Sequence, residues 1–326
     1  MKKMLTSIAV FVFWIGCGQA QADQPLRVVT SIFPQFDFVR QIAGDRVELA
    51  MLLSPGAESH SFEPTPRDII TLNAADLFIY VYRGSEVWVH PILASLERED
   101  LHTMALVSLV ETVEQEVVEG MEAHHHHTHG HAHEHGHHHT RDHTHGHSHH
   151  HDLDEHVWTS PRNAILIVHG LTQALAQLDP YNAEFFRANA EAYIRELEVL
   201  DQLFGDVVAG GARRTIVVGD RFPFRYLIDA YGLSYFAAFA GCATDTQASP
   251  ATIAFLIDKI NEENIPVVFH IEFSCQQIAN VIAEETGARI LELHSAHNLS
   301  HTDFSAGVTY IDLMTRNAQK LREALH

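Results

Sequence analysis

Short apolar runs that are typical of buried β-strands recur in both halves of the chain, and stretches with helical spacing lie between them. The runs cover residues 27–33, 47–53, 77–82 and 104–110 in the first half, and 215–218, 234–239, 267–271 and 289–293 in the second. Continuous apolar strands that alternate with helices are typical of parallel sheets covered on both faces. The pattern therefore predicts an α/β protein with two lobes, each a parallel β-sheet flanked by helices.

One long amphipathic segment joins the two blocks. Its apolar positions follow helical spacing, and they are Phe186, Tyr193, Leu197, Leu200 and Leu203. We expect a helix over residues 182–204 that ends at Gly205, which gives a rod of roughly 35 Å. This rod would bridge the lobes as one long rigid helix. The predicted organisation is an N-terminal lobe at 23–178, a linking helix at 179–210 and a C-terminal lobe at 211–326.

The first 22 residues have the pattern of a secretory signal peptide. Lys2 and Lys3 precede an uncharged apolar run over residues 4–17, and a small-residue cleavage site follows at Ala20-Gln21-Ala22. The run is too short for a membrane-spanning helix, which needs about 20 residues. We expect cleavage after residue 22 and export of the mature chain. The alternative is a lipoprotein in which Cys17 carries the lipid.

Charge and cysteine content narrow the function classes. The chain has 42 Asp and Glu against 21 Lys and Arg, a formal net charge of -21. Such an acidic chain repels phosphate backbones, so we expect no nucleic-acid partner.

Removal of the leader leaves Cys242 and Cys275, for which export favours a disulfide. Two separate buried thiols are the alternative.

Histidine is far more frequent than packing requires, with 27 in the chain. A His-rich segment at residues 124–151 holds 17 of them, namely His124, His125, His126, His127, His129, His131, His133, His135, His137, His138, His139, His143, His145, His147, His149, His150 and His151. The segment lacks apolar periodicity, so we predict a disordered, solvated loop that binds several metal ions weakly. A neutral low-complexity insertion is the alternative. Its role as scavenger, sensor or delivery arm stays open.

A second group of side chains lies where parallel sheets place their ligand-binding loops. His60 follows the second predicted strand, His156 precedes a helical segment, and Asp220 and His294 come at the ends of strands, with His297 three residues further on. Several histidines converging on one site indicate a metal ion more strongly than a single one would.

One further pair of candidates lies near the end of another strand. His270 and Glu272 flank Ile271 there. Strand alternation points both side chains to the same side, so one of them could reach the site.

These residues resemble the substrate-binding proteins of bacterial zinc and manganese ABC transporters over essentially the whole mature chain. The resemblance is carried by Pro55-Gly56, residues 60–66 (HSFEPTP), 75–77 (ADL), 156–158 (HVW) and 284–288 (EETGA). Together with the His-rich segment, it is closest to the zinc-uptake branch. It implies a periplasmic, monomeric protein that holds one Zn²⁺ between its lobes and delivers it to a membrane permease driven by an ATPase.

The resemblance carries two metal ligands onto this sequence, His60 and His156. The family's central histidine falls on Arg221, whose guanidinium cannot ligate a cation. Its last ligand position falls on His294. The implied set is therefore His60, His156 and His294, with Asp220 or Glu272 as a fourth ligand.

Arg221 itself has two open roles, because it either intrudes on the site or pairs with a carboxylate and orders it. Three imidazoles with at most one carboxylate suit zinc better than manganese. A manganese-binding homologue and a periplasmic metal store or chaperone are alternative functions. A zinc metallohydrolase is a weaker alternative, because the sequence has no His-Glu-x-x-His helix and no evident nucleophile–base arrangement. We expect no enzymatic activity.

Overall fold

The computed structural model describes residues 24–59, 61–96, 98, 100–121, 153–241 and 248–326. The predicted leader at 1–22, His60, the His-rich segment and Cys242 lie outside the described residues.

The N-terminal lobe contains one sheet and its helices. Its elements are β1 (Leu26–Thr30), α1 (Phe33–Ala43), β2 (Val47–Met51), α2 (Pro66–Ala74), β3 (Leu77–Tyr80), α3 (Val89–Ser95), β4 (His102–Ala105) and α4 (Pro161–Leu178). The four strands are parallel and lie in the order β2-β1-β3-β4. The predicted strand at 104–110 was wrong from residue 106 onward, because a 3₁₀ turn at Leu106–Leu109 follows β4 directly.

A single long helix, α5 (Ala183–Gly210), joins this lobe to the next. Its 28 residues give a rod of roughly 42 Å. The prediction that the helix ends at Gly205 was wrong. A side chain at Gly205 would meet nothing within 4 Å. Val207 and Val208 continue the buried stripe beyond it, and this burial outweighs the low helix propensity of one glycine.

The C-terminal lobe repeats the architecture. Its elements are β5 (Thr215–Phe222), α6 (Arg225–Tyr231), β6 (Ser234–Ala240), α7 (Pro250–Glu263), β7 (Val267–His270), α8 (Gln277–Thr286), β8 (Arg289–Glu292), α9 (His301–Ser305) and α10 (Tyr310–Leu325). Its four parallel strands lie in the order β6-β5-β7-β8. The prediction of two parallel-sheet α/β lobes bridged by one long helix is thus confirmed.

Buried side chains of both lobes and of α5 form one continuous hydrophobic cluster. Trp158 lies at the junction and is fully buried. Its indole N–H donates to the carbonyl of Ser295 at 2.8 Å, and its own carbonyl accepts from the hydroxyl of Tyr310 at 2.6 Å. These bonds fix the segment before α4 against the C-terminal lobe. Across the described ranges, none of the helices combines the length and apolar character needed to cross a bilayer.

Candidate metal site

A small pocket of about 30 Å³, the inner pocket, lies where loops of the two lobes meet. Its polar lining residues are Glu58, Ser59, His156, Arg221, Glu272, Ser295, His297 and Asn298. Most of them lie at or just beyond the carboxyl end of a strand of one of the two parallel sheets. Open parallel sheets bind their ligands at that edge, so the fold places this pocket where a ligand is expected.

His156 is oriented by a neighbouring carboxylate. The side chain is fully buried, and its Nδ1 lies 2.9 Å from Oδ1 of Asp154, which also accepts the backbone N–H of His156 at 2.9 Å. A carboxylate acceptor holds the proton on Nδ1, so Nε2 is the nitrogen that carries the lone pair. Zinc-binding histidines have this arrangement.

The charges around His156 also affect its pKa. Burial lowers the pKa of His156, while Asp154 and, more weakly, Glu155 raise it, and the net shift is upward from the ordinary value. Oε1 of Glu155 lies 3.9 Å from Nε2 of His156. A ring in this negative environment favours a positive charge beside it, whether that charge is a proton or a metal ion.

His297 faces the same pocket from the C-terminal lobe. Its ring centroid lies 5.6 Å from that of His156 and 4.9 Å from that of Trp158. The residue is 9% exposed, its N–H donates to Oγ of Ser295 at 3.2 Å, and its carbonyl accepts from the N–H of Phe33. His294, three residues earlier, is the ligand that the sequence predicts, although His297 lies close to it in the chain.

His294 has a different environment from His297, and it does not line the inner pocket. Its Nδ1 accepts a hydrogen bond from the backbone N–H of Ala296 at 2.9 Å. A neutral imidazole that accepts at Nδ1 carries its proton on Nε2, so it offers a metal no lone pair in this arrangement. Its backbone N–H and carbonyl both bond to the side chain of Asn317, at 2.9 and 2.7 Å.

Glu272 lines the inner pocket and is 8% exposed. Its Oε2 accepts the backbone N–H of Ser295 at 2.7 Å, and its Oε1 accepts the hydroxyl of the same residue. Oε2 also lies 3.7 Å from Nδ1 of His294. The carboxylate is therefore held at the pocket by the loop that carries His297.

Two other candidates lie close by but do not line the inner pocket. Oδ1 of Asp220 accepts the backbone N–H of Arg221 at 2.8 Å, and its Oδ2 is buried without a hydrogen-bond partner among the described residues. Nδ1 of His270 bonds to the carbonyl of Ile271 at 2.8 Å. His156, Glu272 and His297 thus line one pocket.

Arg221 pairs with a carboxylate, which is one of the two roles that the sequence left open for it. Its Nη1 lies 3.2 Å from Oε1 of Glu58, which belongs to the opposite lobe. The strand register shifts between Val218 and Arg221, where a side chain at Gly219 would come within 2.9 Å of the backbone of Ala279. Irregular strands of this kind re-aim the side chains that follow, and here Arg221 is directed to the pocket.

The segment that carries His60 is held from the C-terminal lobe. The amide of Asn298 donates to the carbonyls of Ser54 and Ala57, each at 2.8 Å, and the N–H of Gly56 donates to the carbonyl of Leu299 at 2.8 Å. Both neighbours of His60 are described, and Ser59 lines the inner pocket.

The described residues do not by themselves form a complete metal site. Within the part of the chain that the structure describes, no three His, Cys, Asp or Glu side chains form a group arranged to hold a metal ion. His60 lies outside it, so the ligand set stays a prediction. Cys275 is exposed and forms no disulfide with a described residue. Its pairing with Cys242 stays a prediction too.

The comparison with known sequences concerns nearly the whole chain. Zinc-binding lipoprotein AdcA of Streptococcus pneumoniae serotype 4 is 30% identical over 332 residues, which cover 99% of this chain and 61% of that protein. The chain thus spans about three fifths of the length of this relative. High-affinity zinc uptake system protein ZnuA of Bacillus subtilis is 31% identical over 310 residues, which cover 95% of this chain and 90% of that protein.

Solved structures show the same fold. The Zn(II)-bound ZnuA-like domain of Streptococcus pneumoniae AdcA has a TM-score of 0.72 and 26% identity, with 93% of this chain and 99% of that chain covered. The metal-dependent lipoprotein YcdH from Bacillus subtilis has a TM-score of 0.73 and 27% identity, with coverage of 92% and 99%. Residues 28–324 match the family described as zinc-uptake complex component A, periplasmic. The chain belongs to this family.

Proposed function

We propose that this protein captures one Zn²⁺ between its lobes and delivers it to the permease of an ABC transporter that an ATPase drives. The observation that carries the proposal is the placement of His156, with Asp154 on its Nδ1, in one small pocket with His297 and Glu272. The zinc-uptake names of the relatives support the same cargo. The protein acts as a binding protein without turnover.

The proposed ligands are His60, His156 and His297, with Glu272 as the fourth. Three imidazoles and one carboxylate suit the tetrahedral preference of zinc, whereas manganese favours more oxygen ligands. His297 takes the place predicted for His294, because the Nδ1 of His294 accepts a backbone N–H and the ring does not line the inner pocket.

Zinc calorimetry on the mature chain without residues 124–151 tests the site. We expect one tight site, which His156→Ala and His297→Ala remove and His294→Ala leaves largely in place. If His294→Ala abolishes tight zinc binding and His297→Ala does not, the ligand is His294, as the sequence predicts. A chain that binds no zinc tightly under these conditions would refute zinc capture, and zinc-dependent hydrolysis of an ester or peptide would favour the metallohydrolase.

Delivery to a transporter is tested separately from capture. In cells grown with a zinc chelator, loss of this gene should prevent growth as fully as loss of the permease gene, and loss of both should add nothing. A metal store or chaperone predicts instead that the two losses have additive effects. We also propose that the protein acts as a monomer and binds no nucleic acid.

The exported location is part of the proposal. Cleavage after residue 22 gives a periplasmic protein that begins at Asp23, whereas lipid attachment gives a mature chain that begins at Cys17. The relative in Streptococcus pneumoniae is named a lipoprotein, which makes the second form a specific alternative. Mass spectrometry of the mature N-terminus distinguishes the two.

The His-rich segment is proposed as a second, weaker zinc-binding region in the same protein. Deletion of residues 124–151 should lower the zinc stoichiometry and leave the tight site in place. The domain limits proposed from the sequence, 23–178, 179–210 and 211–326, put this segment within the N-terminal lobe.

A further inference from the structure

One tryptophan connects the two segments that bring His156 and His297 to the inner pocket. Trp158 lies two residues after His156, in the 3₁₀ turn Val157–Thr159. Its indole N–H crosses the lobe junction and donates to the carbonyl of Ser295 at 2.8 Å, two residues before His297. This hydrogen bond ties the segment of one histidine to the segment of the other.

The ring of Trp158 also contacts both imidazoles. Its centroid lies 4.9 Å from that of His297, with 69° between the ring planes, and 5.5 Å from that of His156, with 60° between the planes. Aromatic pairs favour tilted and edge-to-face contacts at these distances. Because Trp158 is fully buried, its ring is a fixed wall that limits how far either imidazole can turn.

The C-terminal lobe holds the backbone of Trp158 as well as its ring. The carbonyl of Trp158 accepts the hydroxyl of Tyr310 at 2.6 Å. Tyr310 is the first residue of α10, is fully buried, and donates its backbone N–H to Oδ2 of Asp37 at 2.7 Å. A movement of Trp158 away from the C-terminal lobe would therefore break two buried hydrogen bonds.

The acceptor of the indole N–H belongs to a turn that is itself held in place. The backbone N–H of Ser295 donates to Oε2 of Glu272 at 2.7 Å, its hydroxyl donates to Oε1, and its Oγ accepts the N–H of His297 at 3.2 Å. The next residue, Ala296, has a φ of 59°, which is unfavourable for a residue with a side chain and persists only where the surroundings hold it. The bonds at Ser295 supply this hold, and the Trp158 indole makes one of them.

We propose that Trp158 is a positioning residue, which holds His156 and His297 at the separation that zinc needs before the ion arrives. Its N–H is a donor only and is bonded to Ser295, so Trp158 acts on the ion through the two histidines. Ligands that are already ordered lose little conformational freedom when the ion binds, and this raises affinity. The inference rests on the proposed function, because the separation matters only if both histidines bind the ion.

Replacement of the indole N–H alone tests the positioning role. Benzothienylalanine has the shape of tryptophan with a sulfur in place of the N–H, and amber suppression can introduce it at position 158 of the full mature chain. We expect the dissociation constant of the tight zinc site to rise roughly tenfold. Calorimetry in the presence of a competing chelator measures that site. The matched control is the same replacement of Trp88, whose ring contacts Phe62 and Phe78, and it should leave the constant unchanged.

A second readout separates positioning from a general contribution to stability. Co²⁺ can replace Zn²⁺ in such a site, and its visible absorption is much stronger in tetrahedral than in five- or six-coordinate geometry. We expect the Co²⁺ absorption to weaken when the N–H at position 158 is replaced, because the two histidines are then held less well. An unchanged zinc affinity would overturn the proposal. A lower affinity with the parental Co²⁺ spectrum would overturn it too, because the ligands would then keep their geometry without the N–H.

A second variant keeps the test valid if the protein with the replacement at position 158 does not fold. Tyr310→Phe removes the hydroxyl that holds the carbonyl of Trp158 and leaves the indole N–H in place. It should raise the zinc dissociation constant roughly threefold. Tyr231→Phe is the matched control, since its hydroxyl bonds to Asp201 at 2.7 Å, away from the pocket lining. Equal dissociation constants in these two variants would then overturn the proposal.

Failure of the proposed function gives a different result from failure of the positioning role. A parent chain without a tight zinc site would refute zinc capture itself. Tight zinc binding in the parent, together with the same affinity after the replacement at position 158, would refute the role of Trp158 alone.

Discussion

Arg221 of the C-terminal lobe forms an ion pair with Glu58 of the N-terminal lobe, with 3.2 Å between Nη1 and Oε1. The side chains are 14% and 37% exposed, so the pair is only partly screened by water. Oε2 of Glu58 accepts the backbone N–H of Ser61 at 2.9 Å. One lobe therefore anchors the segment of the other lobe that carries His60.

Removal of this anchor should weaken zinc retention without removing a ligand. We expect Arg221→Ala to raise the zinc dissociation rate roughly fivefold, because a partly exposed pair contributes up to about 1 kcal/mol. Stopped-flow release of zinc to a chelator measures the rate. Arg187→Ala, at an exposed position of α5, is the matched control and should leave it unchanged.

A double-mutant cycle separates the pair from general destabilisation. Glu58→Gln should have an effect similar to that of Arg221→Ala, and the two together should cost little more than either alone. Fully additive effects on the dissociation rate would show that the two residues act independently and would contradict the anchor.

The carboxylate of Asp154, which bonds to Nδ1 of His156, should strengthen zinc binding. Asp154→Asn keeps an oxygen that accepts the N–H groups of His156, but it loses the charge that supports the imidazole–zinc bond. We expect zinc affinity to fall about 10-fold to 100-fold, as for other carboxylates behind zinc-binding histidines. Calorimetry measures this, with Asp45→Asn as the matched control, since the side chain of Asp45 is 92% exposed. Unchanged affinity would show that His156 does not bind the ion.

Sequence patterns predicted the elements of the fold well, because a buried strand shows in its own residues. Each of the eight apolar runs overlaps a strand, and the predicted linking helix exists. The exceptions depend on context that no local pattern contains. The helix passes Gly205 because valines beyond it are buried, and β4 stops at Ala105 because a 3₁₀ turn begins there.

The metal site was less predictable for a similar reason. The side chains of His294 and His297 are chemically identical, and they differ in that His297 lines the inner pocket whereas Nδ1 of His294 accepts the N–H of Ala296. The sequence left two roles open for Arg221, and the structure shows the one in which it pairs with a carboxylate. Its partner, Glu58, is 163 residues away in the sequence, so it could be identified only from the folded chain.

Asn317 should support the fold close to the site. It is fully buried, and its amide bonds both the N–H and the carbonyl of His294. Asn317→Ala leaves these two buried backbone groups without their partner, so we expect the free energy of unfolding to fall by about 2–4 kcal/mol. Denaturant unfolding measures the loss. Asn317→Leu refills the volume but makes neither bond, so recovery of most of the lost stability in this variant would argue against the two bonds.

The half-buried side chain of Glu86 should make stability depend on pH in a predictable direction. Burial raises its pKa from 4.5 to about 7, Ser31 and two backbone N–H groups oppose the shift, and Glu155 adds to it. Between these two values the folded protein binds more protons at this site than the unfolded chain does. The contribution of Glu86 to stability therefore falls as pH rises through this window, by up to about 3 kcal/mol.

Glu86→Gln isolates this contribution, because a glutamine can still accept the N–H groups of Val81 and Tyr82 but does not titrate. Urea unfolding of zinc-free protein at pH 5 and pH 8 should show that the variant gains stability relative to the parent as pH rises. Titratable groups that do not interact with Glu86 are common to both proteins, so their contributions cancel in the difference. A difference that is the same at both pH values would mean that Glu86 titrates in the fold as it does in the unfolded chain.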